Sequence, residues 1–64
     1  MDDDAKDAAR LAKQSVEYSK NKDVDKAEKS FLECQDIIDK YRPTPQYAEF
    51  EMMYNKYLLE GIDE

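Results

Sequence analysis

The strongest constraint on the fold is a regular spacing of apolar residues in the middle of the chain. Positions 24, 27, 31, 34, 38 and 41 are separated by alternating steps of three and four. Steps of this size return to the same side of an α-helix at every turn. The spacing therefore predicts a helix over about 24–41 with one apolar seam. The residues of the seam are Val24, Ala27, Phe31, Cys34, Ile38 and Tyr41.

The residues before this helix predict another one, joined to it by a polar turn. The acidic residues Asp2–Asp4 can cap free amide groups and favour the positive end of a helix dipole. They predict a first helix over about 4–20, whose mostly alanine face would let a neighbouring helix approach closely. Asp23 can cap the second helix, and Asp25 with Glu28 forms a rival capping box.

Two prolines separate the second helix from a third. A residue before a proline avoids helical backbone angles, so Arg42 and Thr44 are predicted to be extended. Thr44 is also a suitable N-cap, and Pro45 a suitable first residue, for a helix over about 45–60. Gly61 can supply the left-handed residue that ends this helix.

Length and composition limit the chain to one small domain. Its 64 residues include one glycine and two prolines, too little turn material for a many-stranded barrel or sandwich. The charged fraction of 41% is matched by an apolar fraction of 41%, which favours a folded chain over a disordered one. We therefore expect residues 1–64 to form an all-α three-helix bundle of antiparallel helices.

The first two predicted helices resemble a tetratricopeptide repeat. Six positions match that pattern in spacing and size: Leu11, Ser15, Tyr18, Ala27, Phe31 and Cys34. The layout is also similar to a microtubule-interacting-and-trafficking domain, a bundle in which a third helix packs beside a repeat-like pair. The two resemblances imply a tetratricopeptide-like antiparallel hairpin with a third packing helix. They also imply a non-enzymatic role, the binding of peptides or helices in grooves.

The residue types required by common catalytic and metal sites are missing from the sequence. There is no histidine to act as a base near neutral pH, and one glycine cannot build a phosphate-binding loop. One cysteine cannot build a zinc site or an internal disulfide. Cys34 is expected to be a small buried residue in a reducing, cytoplasmic environment. We expect no enzymatic activity, no cofactor and no metal.

Five tyrosines make the chain rich in aromatic residues for its size. Most of them fall on the predicted core faces, so we expect them to fill the space between the helices with their hydroxyls at the rim. The alternative is an exposed aromatic patch for a partner. The five tyrosines are Tyr18, Tyr41, Tyr47, Tyr54 and Tyr57.

The net charge of −6 is concentrated near the C-terminus. Lysine and arginine form no cluster for a phosphate backbone or an anionic membrane, so we expect neither direct nucleic-acid binding nor membrane binding. A partner protein that is basic, or that itself binds DNA or RNA, would be attracted to this end. The acidic surface is predicted to consist of Glu49, Glu51, Glu60 and Asp63.

The third predicted helix carries apolar residues on two sides. At 100° per residue, Ala48, Met52 and Leu59 lie opposite the main apolar face around Tyr47 and Phe50. This second side is either covered by a neighbouring helix or exposed as a contact surface, and both explanations remain open here. The partner-binding residues predicted by the second explanation are Leu32, Ala48, Glu49, Met52, Lys56, Leu59 and Glu60.

Three functional hypotheses follow from the sequence. The leading one is a non-enzymatic protein-binding module, a small adaptor or inhibitor that contacts another protein or a second copy of itself through helices. The alternative is an acidic inhibitor that mimics nucleic acid and blocks a DNA- or RNA-binding protein. In size and charge the chain is similar to phage-type inhibitors such as anti-CRISPR proteins. The third is one repeat-like layer of a larger helical assembly.

Overall fold

The computed structural model describes residues 1–61, which fold into three α-helices. Helix α1 spans Asp2–Lys20, α2 spans Val24–Tyr41 and α3 spans Tyr47–Glu60. Helix α1 packs against both α2 and α3, and residues 1–61 contain no strand. The predicted all-α three-helix bundle is confirmed. No helix in this part of the chain is both long enough and apolar enough to cross a membrane.

Contacts at the two ends of the first helix pair show that the pair is antiparallel. The Lys40 ammonium, in the last turn of α2, lies 2.9 Å from a carboxylate oxygen of Asp4 in the first turn of α1. Towards the other end, the Ser15 hydroxyl of α1 donates to the Ala27 carbonyl in the first turn of α2 at 3.0 Å. The first two helices therefore form the expected hairpin.

Helix α3 runs antiparallel to α2 and covers part of the hairpin. The Phe50 ring stacks on the Tyr41 ring with centroids 4.4 Å apart, near the end of α2. One turn further along α3, the Tyr54 hydroxyl lies 3.7 Å from the Cys34 sulfur, in the middle of α2. With 14 residues, α3 is shorter than α1 and α2, which have 19 and 18.

The predicted apolar seam of α2 is buried only in its second half. Cys34 and Ile38 are buried, whereas Val24 and Phe31 are 68% and 50% exposed. The apolar seam predicted for α2 is therefore left uncovered at these two positions. The reason is the placement of α3, whose aromatic contacts with α2 are made at Tyr41 and Cys34.

Small side chains on α1 form the centre of the bundle. Ala5, Ala8 and Ala9 are fully buried. An alanine side chain keeps the backbone of a neighbouring helix close, and these alanines allow α1 to serve as the common neighbour of α2 and α3. The largest fully buried side chain is Phe50, which packs from α3 onto this surface.

The start of α1 differs from the prediction. The helix begins at Asp2 with Met1 as its N-cap, and no side chain makes a capping hydrogen bond. Asp2, Asp3 and Asp4 therefore lie inside the first turn, where their charges still favour the helix dipole but cannot cap it. At α2 the prediction is confirmed, because the Asp23 carboxylate accepts a hydrogen bond from the Lys26 amide at 3.4 Å.

The connection from α2 to α3 also differs from the prediction. Arg42 has helical backbone angles (φ −51°, ψ −43°), and its amide donates to the Ile38 carbonyl at 3.0 Å, so the expected extended conformation is wrong. The Thr44 hydroxyl donates to the Tyr41 carbonyl at 2.6 Å instead of capping α3. As a result α3 begins two residues later than predicted, at Tyr47, with Gln46 as its N-cap.

Gly61 ends α3 with a backbone conformation that favours glycine. Its φ is 92° and its amide donates to the Tyr57 carbonyl at 3.0 Å. A side chain at this φ would be strained. The positive φ agrees with the predicted helix ending, although the ψ of 166° is extended and not that of a left-handed helix.

Candidate partner-binding surface

Helix α3 presents one buried and one exposed apolar face. Phe50, on the inner face, is 1% exposed, whereas Met52 and Leu59, on the outer face, are 73% and 87% exposed. Ala48 is also exposed. We call Ala48, Met52 and Leu59 the outer stripe. Because α3 turns its other side towards α1, the outer stripe remains open to solvent in the monomer.

Three charged residues line one side of the outer stripe. At 100° per residue, Glu49, Lys56 and Glu60 lie next to one another on this side of α3. All three are exposed, and none forms an ion pair with any residue in the described range 1–61. Two negative charges and one positive charge are therefore available to a partner that covers the stripe.

The opposite side of the outer stripe carries Glu51 and Asn55. Both are exposed, and both line the groove between α2 and α3. The Tyr47 hydroxyl interacts with the Glu51 carboxylate, and this hydrogen bond, together with burial, raises the pKa of Tyr47. Glu49 and Glu51 therefore face different directions, about 160° apart around the helix.

The structure does not join every predicted site residue to this surface. Leu32 is exposed, but it lies roughly 120–160° around α2 from the buried Ser30, Cys34 and Ile38, so it points away from the bundle. Its predicted role as an extension of the outer stripe has no support from this orientation. Asp63, predicted as part of the acidic surface, lies outside the described residues.

The acidic residues at the start of α1 bind tyrosines of the other two helices. The Tyr57 hydroxyl donates to the Asp2 carboxylate, and the Tyr41 hydroxyl donates to the Asp4 carboxylate. Lys40 also donates to Asp4 at 2.9 Å. These contacts hold α2 and α3 against α1, and so they fix which face of α3 points inward.

The same contacts shift the pKa values of the groups involved. The hydrogen bond from Tyr57 lowers the pKa of Asp2, and those from Tyr41 and Lys40 lower the pKa of Asp4. In return, the two carboxylates raise the pKa values of Tyr57 and Tyr41. These pairs are not predictable from the sequence, because spacing along the chain does not show which acid meets which hydroxyl.

The tyrosines are mainly part of the core. Tyr41, Tyr47, Tyr54 and Tyr57 pack against the buried cluster around Phe50, which confirms the predicted structural role for these four. Tyr18 instead lines an open groove between α1 and α2, where the Lys26 ammonium lies 5.8 Å from its ring centre.

Cys34 is a buried thiol beside the hydroxyl of the half-buried Tyr54. Burial raises the pKa of Cys34, and burial together with the nearby thiol raises the pKa of Tyr54 to about 12. Both groups are therefore neutral near pH 7. A neutral, covered thiol is a poor nucleophile, so Cys34 acts as a packing residue, as expected.

The remaining surface features offer shallow binding sites. A groove of about 590 Å³ lies where Leu58 meets Ala12 and Val16, and its rim carries lysine and glutamate side chains. No group of three or more potential ligand residues is placed to hold a metal ion within residues 1–61.

Comparison with known proteins gives no relatives: no family model, no curated protein and no solved structure matches the chain.

Proposed function

We propose that the chain is a non-enzymatic protein-binding module, a small adaptor or inhibitor whose contact surface is the outer stripe of α3. The observation that carries the proposal is the exposure of Met52 and Leu59 on a helix whose opposite face is buried. Burying one such side chain is worth about 1.5–3 kcal/mol. A partner that covers both Met52 and Leu59 would gain a burial free energy of this size from each side chain.

The shape of the surface favours a helix as the contacting element. The outer stripe is narrow and runs along α3 from Ala48 to Leu59, about three turns. An amphipathic helix laid along it would bury its own apolar face against Met52 and Leu59. Glu49, Lys56 and Glu60 would form the polar rim of that contact.

The resemblances noted in the sequence point to the same class of function. Tetratricopeptide repeats and microtubule-interacting-and-trafficking domains are helical modules that bind peptides or helices. We propose that this chain binds its partner in a similar way. We also propose a cytoplasmic location, since the one cysteine is buried and reduced and would suit a reducing compartment.

The nucleic-acid mimic has less support from the geometry. A mimic needs carboxylates arranged in rows on one face, in the manner of phosphates. Glu49 and Glu60 share one side of α3, but Glu51 lies on the other side and beside Tyr47. The third hypothesis, one layer of a helical assembly, would instead use the exposed Val24 and Phe31 of the hairpin.

A quantitative affinity capture from native lysate tests the proposed function. Wild-type protein and the double variant Met52→Ser/Leu59→Ser are used as baits, and specific partners are expected to fall about tenfold or more on the variant. The matched control is Val24→Ser/Phe31→Ser, which removes two exposed apolar side chains from the hairpin. Loss of partners on the control alone would favour the assembly hypothesis and contradict a role for α3.

A further inference from the structure

We infer that the outer stripe binds a second copy of this chain, with the two α3 helices antiparallel about a two-fold axis near residue 53. The inference rests on the proposed function, because it names the occupant of the same surface. It is carried by three pairs of positions on α3, namely 48 and 59, 49 and 56, and 51 and 55, whose midpoints nearly coincide.

The apolar residues of the outer stripe are complementary to themselves. A two-fold axis perpendicular to two antiparallel helices brings a residue before the axis opposite the partner's residue that lies equally far after it. With the axis near residue 53, the large Leu59 side chain faces the small Ala48 of the partner subunit. Met52 lies close to the axis, next to the partner subunit's Met52. Large residues facing small ones give well-packed helix contacts.

The charged residues follow the same symmetry. In an antiparallel pair each side of a helix meets the same side of its partner, so Lys56 faces the partner's Glu49, and Glu49 faces the partner's Lys56. Neither residue has an ion-pair partner among the described residues of its own chain. On the other side, the Asn55 amide faces the carboxylate of the partner's Glu51.

One register satisfies all three sets at once. The midpoints of the pairs 48–59, 49–56 and 51–55 lie between residues 52.5 and 53.5. This spread is one residue, or about 1.5 Å along a helix, which long side chains absorb easily. A parallel arrangement would bring opposite sides together and place Glu49 near the partner's Glu51, where two negative charges repel.

The contact is small, so the dimer is expected to be weak. Helix α3 has 14 residues and a length of about 21 Å. A single helix pair of this length buries less than the roughly 1,600 Å² of a standard interface. Each copy also carries a net charge of −6, which opposes association. We expect a dissociation constant of about 10 μM to 1 mM.

Sedimentation equilibrium of the full chain tests the inference directly. Between about 10 μM and a few millimolar, the mean mass is expected to rise from 7.5 kDa towards twice that value. Met52→Ser and Leu59→Ser should each shift the dissociation constant upward about tenfold or more. Far-UV circular dichroism checks that both variants remain folded. A wild-type chain that stays monomeric throughout this range overturns the inference.

Charge exchange tests the register. Glu49→Lys alone and Lys56→Glu alone each place like charges at both symmetric contacts, so each is expected to weaken self-association about tenfold. An equimolar mixture of the two variants restores opposite charges at both contacts and should form a mixed dimer of wild-type affinity. Lys29→Glu, an exposed lysine on α2, is the control and should leave the affinity unchanged. A dimer that does not recover on mixing contradicts the antiparallel register.

The inference and the proposed function fail in different ways. If the wild-type chain is monomeric but loses a heterologous partner on Met52→Ser/Leu59→Ser, the second-copy inference is wrong and the adaptor function stands. If the chain dimerises through the outer stripe and no other protein depends on Met52 and Leu59, the outer stripe is a protein-binding surface for a second copy alone. The second-copy inference then stands, and the part of the proposed function that names an adaptor or inhibitor of another protein is wrong.

Discussion

The Tyr57 hydroxyl donates a hydrogen bond to the Asp2 carboxylate and thereby ties the last part of α3 to the first turn of α1. The Lys6 ammonium lies beside both residues, 3.5 Å from the Asp2 carboxylate and 5.6 Å from the centre of the Tyr57 ring. The position of α3, and with it the outer stripe, depends on this contact at one end and on the Phe50 stack at the other.

Removing this hydrogen bond should loosen the end of α3. Tyr57→Phe keeps the ring but removes the donor, so we expect a lower Tm together with faster amide exchange in the last turns of α3. Asp2→Ala removes the acceptor and should have a similar effect. Because both changes break the same contact, the double variant should be little less stable than either single variant. Additive effects of the two substitutions would show that the residues act independently.

Stability should fall in acid because of Asp2 and Asp4. Both carboxyls have folded-state pKa values below the ordinary value of 3.8, owing first to their tyrosine hydrogen bonds. A lowered pKa adds stability above pH 3.8, and this stability is lost as the pH falls through 3.8 towards the folded-state value. Urea midpoints measured from pH 7 to pH 2.5 should show the loss, and Asp2→Asn/Asp4→Asn should flatten it.

Stability should also fall in strong alkali through the same pairs. Tyr41 and Tyr57 have pKa values raised above 10.0 by the neighbouring carboxylates. A raised tyrosine pKa adds stability that is fully present below pH 10 and is lost as the pH rises through the folded-state value. Ultraviolet titration of tyrosinate, followed alongside helicity, should show late ionisation coupled to unfolding. Tyr57→Phe should lessen that coupling.

The two faces of α3 should respond very differently to truncation. Phe50→Ala removes a fully buried ring and is expected to cost about 3–5 kcal/mol, most of the stability of so small a domain. Met52→Ala removes a side chain that is exposed in the monomer and should change the free energy of unfolding by less than about 0.5 kcal/mol. Urea unfolding followed by circular dichroism at low protein concentration checks both values. Equal costs would mean that the outer face contributes to the core.

Cys34 should be protected from thiol reagents in the folded chain. It is buried, and burial raises its pKa, so little thiolate is present or accessible near pH 8. We expect a disulfide reagent to react with it at least about a hundredfold more slowly than in denaturant, since reaction requires local opening. Rapid modification under native conditions would indicate that α3 leaves Cys34 uncovered.

Much of this architecture is predictable from periodicity and local capping. The apolar spacing of α2 locates that helix from Val24 to Tyr41, and Asp23 marks its start. Angular position around a helix depends only on the 3.6-residue repeat, so the division of α3 into inner and outer faces is also accessible from sequence. These features are local, and local rules are sufficient for them.

The remaining features depend on how the helices meet. Val24 and Phe31 belong to the apolar seam but remain exposed, because the length and placement of α3 decide how far the seam is covered. The pairing of Asp2 with Tyr57 joins residues 55 positions apart, and it follows from packing that no spacing rule encodes. The Thr44 hydroxyl donates back to the Tyr41 carbonyl, a contact that the capping rule does not indicate.

The buried alanines of α1 also affect how the chain can fold. Because α1 packs against both of its neighbours, α2 and α3 each lose their main packing partner when it is removed. A fragment that begins after Lys20 should therefore be unstructured on its own and should regain helicity when a synthetic peptide of residues 1–20 is added. The α2–α3 pair would then be too unstable to accumulate as a folding intermediate without α1.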